Sequence, residues 1–235
     1  MLDSYNSEIL NRNIPKERII IPLNKEGTDT DFETLFKRPD FLRIFGTLLE
    51  GYGDFKKDNP EAIVGFNIFG SWINGQPNPT SDIDTCFLLP DYFGFEKSRY
   101  FSTDEIHVIC KSGEEDVVMS YVRSIIKNPD YSKNEIHDLK FILNGLSFGK
   151  ESQFFQKRIL DYIRSLNESD RKIFWDIFSK DISRSESGYP TLRGHKQKYW
   201  LVSLGQLTFE EFVERWQKRC EFTNRFCEEN GIKFD

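Results

Sequence analysis

Apolar residues recur along this chain with two different periods, and the change of period divides it. Phe41, Leu42, Phe45, Leu48, Leu49 and Tyr52 repeat at steps of three and four, which places them on one face of a helix within 31–57, with Pro39 and Asp40 as start signals. The next apolar run, 63–69, is short and continuous and stops at Gly70-Ser71; a polar stretch follows, and a second run extends from Thr85 to Leu89. Short continuous runs bounded by turn residues predict buried strands, so this region is a strand, a loop and a second strand. Residues 105–110, Glu-Ile-His-Val-Ile-Cys, have the β-branched content of a third strand. From 114 to 127 the pairs Val117-Val118, Tyr121-Val122 and Ile125-Ile126 step by four, predicting a helix that Pro129 ends. A second helix over 133–143 has Asn144-Gly145 as its stop.

Beyond position 150 the apolar spacing is helical, over 154–166, 170–178 and 207–229, and Thr208 with Glu211 forms a capping box for the last of these. The pattern therefore predicts an α+β fold in two parts, residues 1–147 carrying the strands and residues 148–235 all helical, with the boundary near 145–150. Three stretches stay open. Residues 18–22, Arg-Ile-Ile-Ile-Pro, are a short strand or a docking segment. The loop 90–102 holds Tyr92, Phe93, Phe95, Tyr100 and Phe101, which either pack on their own domain or stack on a ligand. The basic loop 183–198, with Arg184, Arg193, His195, Lys196 and Lys198, is solvated surface or a reach toward phosphate.

Composition narrows the functional classes. At 235 residues with 38% hydrophobic content, the chain has material for one large domain or two small ones. The net charge of −6 argues against dependence on non-specific attraction to nucleic acid and suits a cationic small substrate better. No basic, aromatic-interleaved face of the kind that tracks a single strand is evident. No apolar run approaches the ~18 residues of a membrane span, and Met1-Leu2-Asp3-Ser4 lacks the features of a signal peptide, so a cytoplasmic protein is expected. Cys86, Cys110, Cys220 and Cys227 are read as four free thiols.

The chemistry concentrates between 63 and 89. Asp82 and Asp84, two apart at the start of a strand, project to the same side and repel each other unless a cation lies between them. Hard oxygen donors at that separation suit Mg²⁺, which takes one or two protein carboxylates and completes its octahedron with water and substrate phosphates. Gly70-Ser71 offers backbone N–H groups that can approach a phosphate closely.

Gly70-Ser71, then Gly75, then Ser81-Asp82-Ile83-Asp84 resembles the signature of the DNA polymerase β-like nucleotidyltransferase superfamily, and the spacing from Ser71 to Asp82 is the one usual in its small members. The resemblance covers this stretch and its flanking strands. It implies a catalytic domain with a small mixed sheet and flanking helices over 1–147. The implied activity is transfer of a nucleoside monophosphate, with ATP the expected donor, to an acceptor hydroxyl with release of pyrophosphate. Gly70, Ser71 and Ser81 would hold the triphosphate, and Asp82 and Asp84 one or two Mg²⁺ ions. The family also uses a third carboxylate on the adjoining strand. Glu105 is the acid best placed for it, although many members carry aspartate there after an apolar residue and here Asp104 precedes Glu105. His107 shares that face by alternation, as an extra ligand or as a plain strand histidine. A general base, where one is used, would be Glu105, Glu135 or Asp138.

Length, a minimal catalytic domain and a helical second half look most like the aminoglycoside and lincosamide nucleotidyltransferases, in which two subunits often associate. Modification of a protein tyrosine, as in toxin-neutralising relatives, or synthesis of a nucleotide second messenger would use the same core. A non-catalytic relative would be expected to lose a metal carboxylate, and Asp82 and Asp84 are both present.

Overall fold

The computed structural model describes residues 19, 21–26, 29–60, 65–73, 77–89, 96–101, 103–128, 132–179 and 207–234. Among these, the expected Gly75, the loop aromatics Tyr92, Phe93 and Phe95, and the basic loop 183–198 do not figure; they lie outside the described residues. The elements in chain order are α1 (Phe32–Leu35), α2 (Pro39–Asp58), β1 (Gly65–Phe69), β2 (Ile83–Leu89), α3 (Lys97–Tyr100), β3 (Ile106–Ser112), α4 (Glu115–Lys127), α5 (Lys133–Asn144), β4 (Leu146–Phe148), α6 (Lys150–Ser165), α7 (Glu168–Phe178) and α8 (Phe209–Asn230). The fold is α+β, as the periodicity predicts.

Four strands form one small mixed sheet in the order β3-β2-β1-β4. β1 runs antiparallel to both β2 and β4, while β2 and β3 are parallel. Alternation along β2 sends Ile83, Phe87 and Leu89 into a core shared with α2, and Cys86 and Leu88 into a second core built with α4 to α8. The helix face read from the sequence is the one α2 buries: Phe41, Phe45, Leu48 and Tyr52 are inside, and Pro39 occupies the first turn, where its missing N–H costs nothing. Leu42, counted on that face, is instead partly exposed. Phe41, Phe45, Phe66, Phe87 and Phe148 are fully buried, each contributing roughly 1.5–3 kcal/mol by leaving water.

β4 is absent from the sequence reading. Residues 145–150, expected as a boundary, contain a buried strand whose Leu146, Ser147 and Phe148 pair with Ile68, Asn67 and Phe66. Three residues are too few to display a period. Each core also draws on both sides of position 147: Phe222 and Phe234 join the α2 core, and Phe155, Ile159 and Phe212 pack with Cys86 and Leu88.

A buried polar seam fastens the helices to the sheet. Asn67 donates to the Ile142 carbonyl (3.2 Å) and accepts from Ser152 Oγ (3.0 Å), Trp216 Nε1 donates to Gln156 Oε1 (2.7 Å), and Thr223 donates to the Ser147 carbonyl (2.9 Å). Such groups stabilise only because each has found a partner. α8 carries the expected capping box of Thr208 and Glu211 and ends at Gly231, whose φ of 64° is the left-handed conformation that glycine adopts readily.

Of the open stretch 18–22, the described residues 19, 21 and 22 belong to none of the four strands and dock on the fold. Ile21 is buried in the α2 core, Leu23 bridges Thr30, and Asp29 is buried between Arg215 and Arg219 of α8. Among the described residues, no helix is long and apolar enough to cross a membrane, and all four cysteines are free thiols.

Candidate functional site

Strand register assembles the site. Asp84 sits in the second position of β2, opposite Phe69 of β1 on one side and His107 of β3 on the other. It lies on the same face as Cys86 and Leu88, but at the strand's open end, so its carboxylate is only partly covered. Asp82 immediately precedes the strand. His107 Nδ1 lies 3.1 Å from Asp84 Oδ1, and a donor atom from each of Asp82, Asp84 and His107 falls within 4.8 Å of the others. The hydrogen bond that protonated His107 donates to Asp84 raises the pKa of His107 above its ordinary value, against the effect of partial burial, and the Asp84 and Asp82 charges add to it.

Gly70, just past β1, has φ of +83°, and a Cβ added there would come 1.7 Å from Asp84 Oδ2. The glycine expected to approach a phosphate therefore has a nearer task, making room for the carboxylate. Ser71 follows it, half-buried in a turn. Trp72 is buried and donates from Nε1 to the carbonyl of Ser81 (3.0 Å), tying the exit of β1 to the residue before Asp82. Ser81, expected at the triphosphate, is buried with its Oγ accepting the Asn78 N–H (2.9 Å), so it shapes the turn entering β2.

Glu105 stands apart from the pair it was expected to complete. It lies in the turn before β3, and its two oxygens accept from both terminal nitrogens of Arg43 on α2 at 2.6 and 2.7 Å. That hydrogen bonding holds its carboxyl below the usual value. Alternation would put Glu105 and His107 on one face, but strand geometry begins only at Ile106, and the turn sends Glu105 across to the α2 side of the sheet. Arg43 carried no signal in the sequence, being one exposed cation on a helix.

The other acids considered as a base are also accounted for. Asp138 on α5 pairs with Lys111 at 2.7 Å, and Lys111 is four residues beyond His107, ~13 Å along an extended strand. Glu135 lies in the first turn of α5 and does not join the group around Asp82 and Asp84. Of the aromatic loop, Phe101 is buried against Phe87 and Tyr100 packs edge-on to Phe55, so these two rings serve the core.

Two carboxylates and an imidazole can share a divalent cation. Two cis ligands each ~2.1 Å from one ion are ~3.0 Å apart, close to the separation of Asp84 Oδ1 and His107 Nδ1. Comparisons with protein-family models, with curated proteins and with solved structures give no match.

Proposed function

We propose that this protein is a divalent-metal-dependent nucleotidyltransferase that moves a nucleoside monophosphate, AMP in the first instance, from a nucleoside triphosphate to a hydroxyl of a small acceptor and releases pyrophosphate. The observation that carries the proposal is the convergence of Asp82 and Asp84 with a third donor beside Gly70, at the end of β1 and the start of β2, where the Gly-Ser and Ser-Asp-x-Asp stretches meet. The resemblance of those stretches to the polymerase β-like signature supplies the reaction type, and the acidic balance favours a cationic acceptor such as an aminoglycoside or lincosamide.

In this reading the acceptor oxygen attacks the α-phosphorus in line with the departing pyrophosphate, the bond to the pyrophosphate oxygen breaks, and the hydroxyl proton is released. Asp82 and Asp84 would hold the cation, Mg²⁺ in the family the motif resembles, which would supply charge to orient the reacting oxygens and offset the negative charge on the phosphoryl group. The backbone N–H groups at Gly70 and Ser71 would contact the triphosphate, as the resemblance implies. Glu105 is held by Arg43 and Asp138 by Lys111, so neither is poised as a base. Transfer of this type rests on positioning and electrostatics and needs no strong one.

The test is incubation of the purified protein with a divalent cation, each labelled nucleoside triphosphate and a panel of aminoglycosides and lincosamides, following pyrophosphate and acceptor mass. The expected product is heavier by one nucleoside monophosphate and absent in Asp82→Ala and Asp84→Ala. Pyrophosphate without a modified drug would redirect the proposal to a protein or nucleotide acceptor. Silence with every triphosphate would overturn it.

A further inference from the structure

We infer that the cation site takes a nitrogen ligand from His107 and is built for a first-row transition-metal ion, in the range from Mn²⁺ to Zn²⁺, in preference to Mg²⁺. The inference rests on the reading above for what the ion does, but the site itself is argued from the fold.

The parallel pairing of β2 and β3 makes His107, not Glu105, the neighbour of Asp84. Two residues facing each other across adjacent strands on one side of a sheet are as close as side chains on separate strands become. Here the donor atoms already stand 3.1 Å apart, the spacing of two ligands on one ion, so little rearrangement is required for both to bind. The imidazole is about half exposed, with side-chain exposure of 53%, so a cation and its remaining ligands can reach it from solvent.

Two further observations bear on the donor set. The acid that would make the site all-oxygen is engaged elsewhere. Glu105 is held through both oxygens by Arg43, and its carbonyl accepts the Ile83 N–H at 2.7 Å, which fixes the backbone of this residue as well. Bringing its carboxylate to the ion would require it to leave Arg43 and cross from the α2 side of the sheet to the face that Asp84 and His107 share. Meanwhile the bare Cα of Gly70 leaves a place for Asp84 Oδ2 that any side chain would fill, so the carboxylate fits between Gly70 and His107 with Oδ1 on the imidazole side.

The chemistry of this set differs from that of three carboxylates. Mg²⁺ keeps oxygen ligands and water, whereas imidazole suits the later divalent ions, for which affinity at a mixed nitrogen and oxygen site rises from Mn²⁺ to Cu²⁺ and is lower again at Zn²⁺. Replacing a carboxylate by a neutral imidazole also removes one unit of the negative charge that Mg²⁺ depends on. The same phosphoryl chemistry remains open to the ion so selected.

The experiment uses the full chain, prepared without a histidine tag and loaded with Mn²⁺. Pulsed electron paramagnetic resonance reads nitrogen coordinated directly to Mn²⁺, and titration of the free-ion signal reads affinity. Wild type should show ¹⁴N coupling that His107→Gln abolishes, with Mn²⁺ binding weakened about 10-fold or more, at least the effect seen when a supporting outer group is removed. His107→Asp, which supplies a third carboxylate, should also lose the coupling and make Mg²⁺ a better competitor for the bound Mn²⁺ than it is in wild type. Mn²⁺ bound in wild type without nitrogen coupling would overturn the inference, and if that binding still required Asp82 and Asp84 the transfer reading would stand. Nitrogen coupling through His107 with no turnover of any triphosphate would do the reverse. Absence of Mn²⁺ binding altogether would overturn both.

Discussion

The carboxylate of Asp84 lies where the side chain of Gly70 would be. A Cβ on Gly70 would come 1.7 Å from Asp84 Oδ2, and the backbone there has φ of +83°. Those two facts make Gly70→Ala a sensitive probe of the site. The methyl must push Asp84 away or force the turn to relax, and the positive φ alone costs about 1 kcal/mol for a residue with a Cβ. The expected outcome is a folded protein of lower Tm whose divalent-cation affinity, followed by titration calorimetry, falls about 10-fold or more. Wild-type cation affinity in Gly70→Ala would remove the argument that Asp84 is placed by this contact.

Trp72 and Ser81 supply a second support for the same carboxylates. The indole N–H is buried against the Ser81 carbonyl, one residue before Asp82. Trp72→Phe keeps most of the apolar volume and deletes that bond, leaving a buried carbonyl without its donor. A loss of about 1–3 kcal/mol in denaturant unfolding is expected. Turnover should fall more in this variant than in a core substitution of comparable stability cost on α7, such as Phe174→Leu beside Phe178, because the entry of β2 loses its tether. Equal turnover in the two would mean that the bond serves stability alone.

How much of this was legible beforehand follows from the range of the interactions. Asp82 and Asp84 were readable because strand alternation is local, and α2 because its buried face repeats within a few residues. The partner of Asp84 was not. Which residue of β3 faces it depends on the register of two strands more than twenty positions apart, and a shift of two residues exchanges Glu105 for His107. The Asp104–Glu105 turn, which breaks alternation just before β3, is what makes that exchange. β4 escaped because three residues have no period, and the roles of Arg43 and Arg219 escaped because their partners, Glu105 and Asp29, are distant in sequence.

The ion pair of Arg43 and Glu105 gives a contrasting prediction. Both side chains are largely exposed, at 59% and 45%, so their attraction is screened and its effect on stability is small despite the two short hydrogen bonds. Glu105→Gln and Arg43→Ala should both bind cation as wild type does, with Tm nearly unchanged in moderate salt. A loss of cation affinity in Glu105→Gln as large as that in Asp84→Ala would return Glu105 to the set of metal ligands and contradict the placement described above.

Asp29 presents the opposite case, an ion pair out of reach of solvent. Its oxygens accept from Arg219 Nε and a terminal Arg219 nitrogen at 2.6 and 2.7 Å, and from Arg215 at 3.0 Å; Arg219 also donates to the Asn144 carbonyl at the end of α5. Burial works against ionisation of Asp29, but the charges of Arg219 and Arg215 outweigh it, so its carboxyl titrates below the ordinary value. Burial and the neighbouring Arg219 together lower Arg215 to about 10, which leaves it charged at neutral pH. Because one carboxylate answers two guanidiniums, Asp29→Ala should cost about 3–5 kcal/mol at pH 7, the usual effect of leaving a buried charge alone. The sign of the pH dependence follows from the lowered value. The unfolded carboxyl takes up a proton first, so the contribution of Asp29 is full above its unfolded pKa of about 3.9 and is lost as pH falls through that value toward the lower folded one. Denaturant unfolding across pH 3–7 should therefore show wild type losing stability steeply at the acid end, and Asp29→Asn, less stable at neutral pH, losing less of what it has. Parallel curves for the two proteins would mean that Asp29 is not the group through which acid loosens the N-terminal segment from α8.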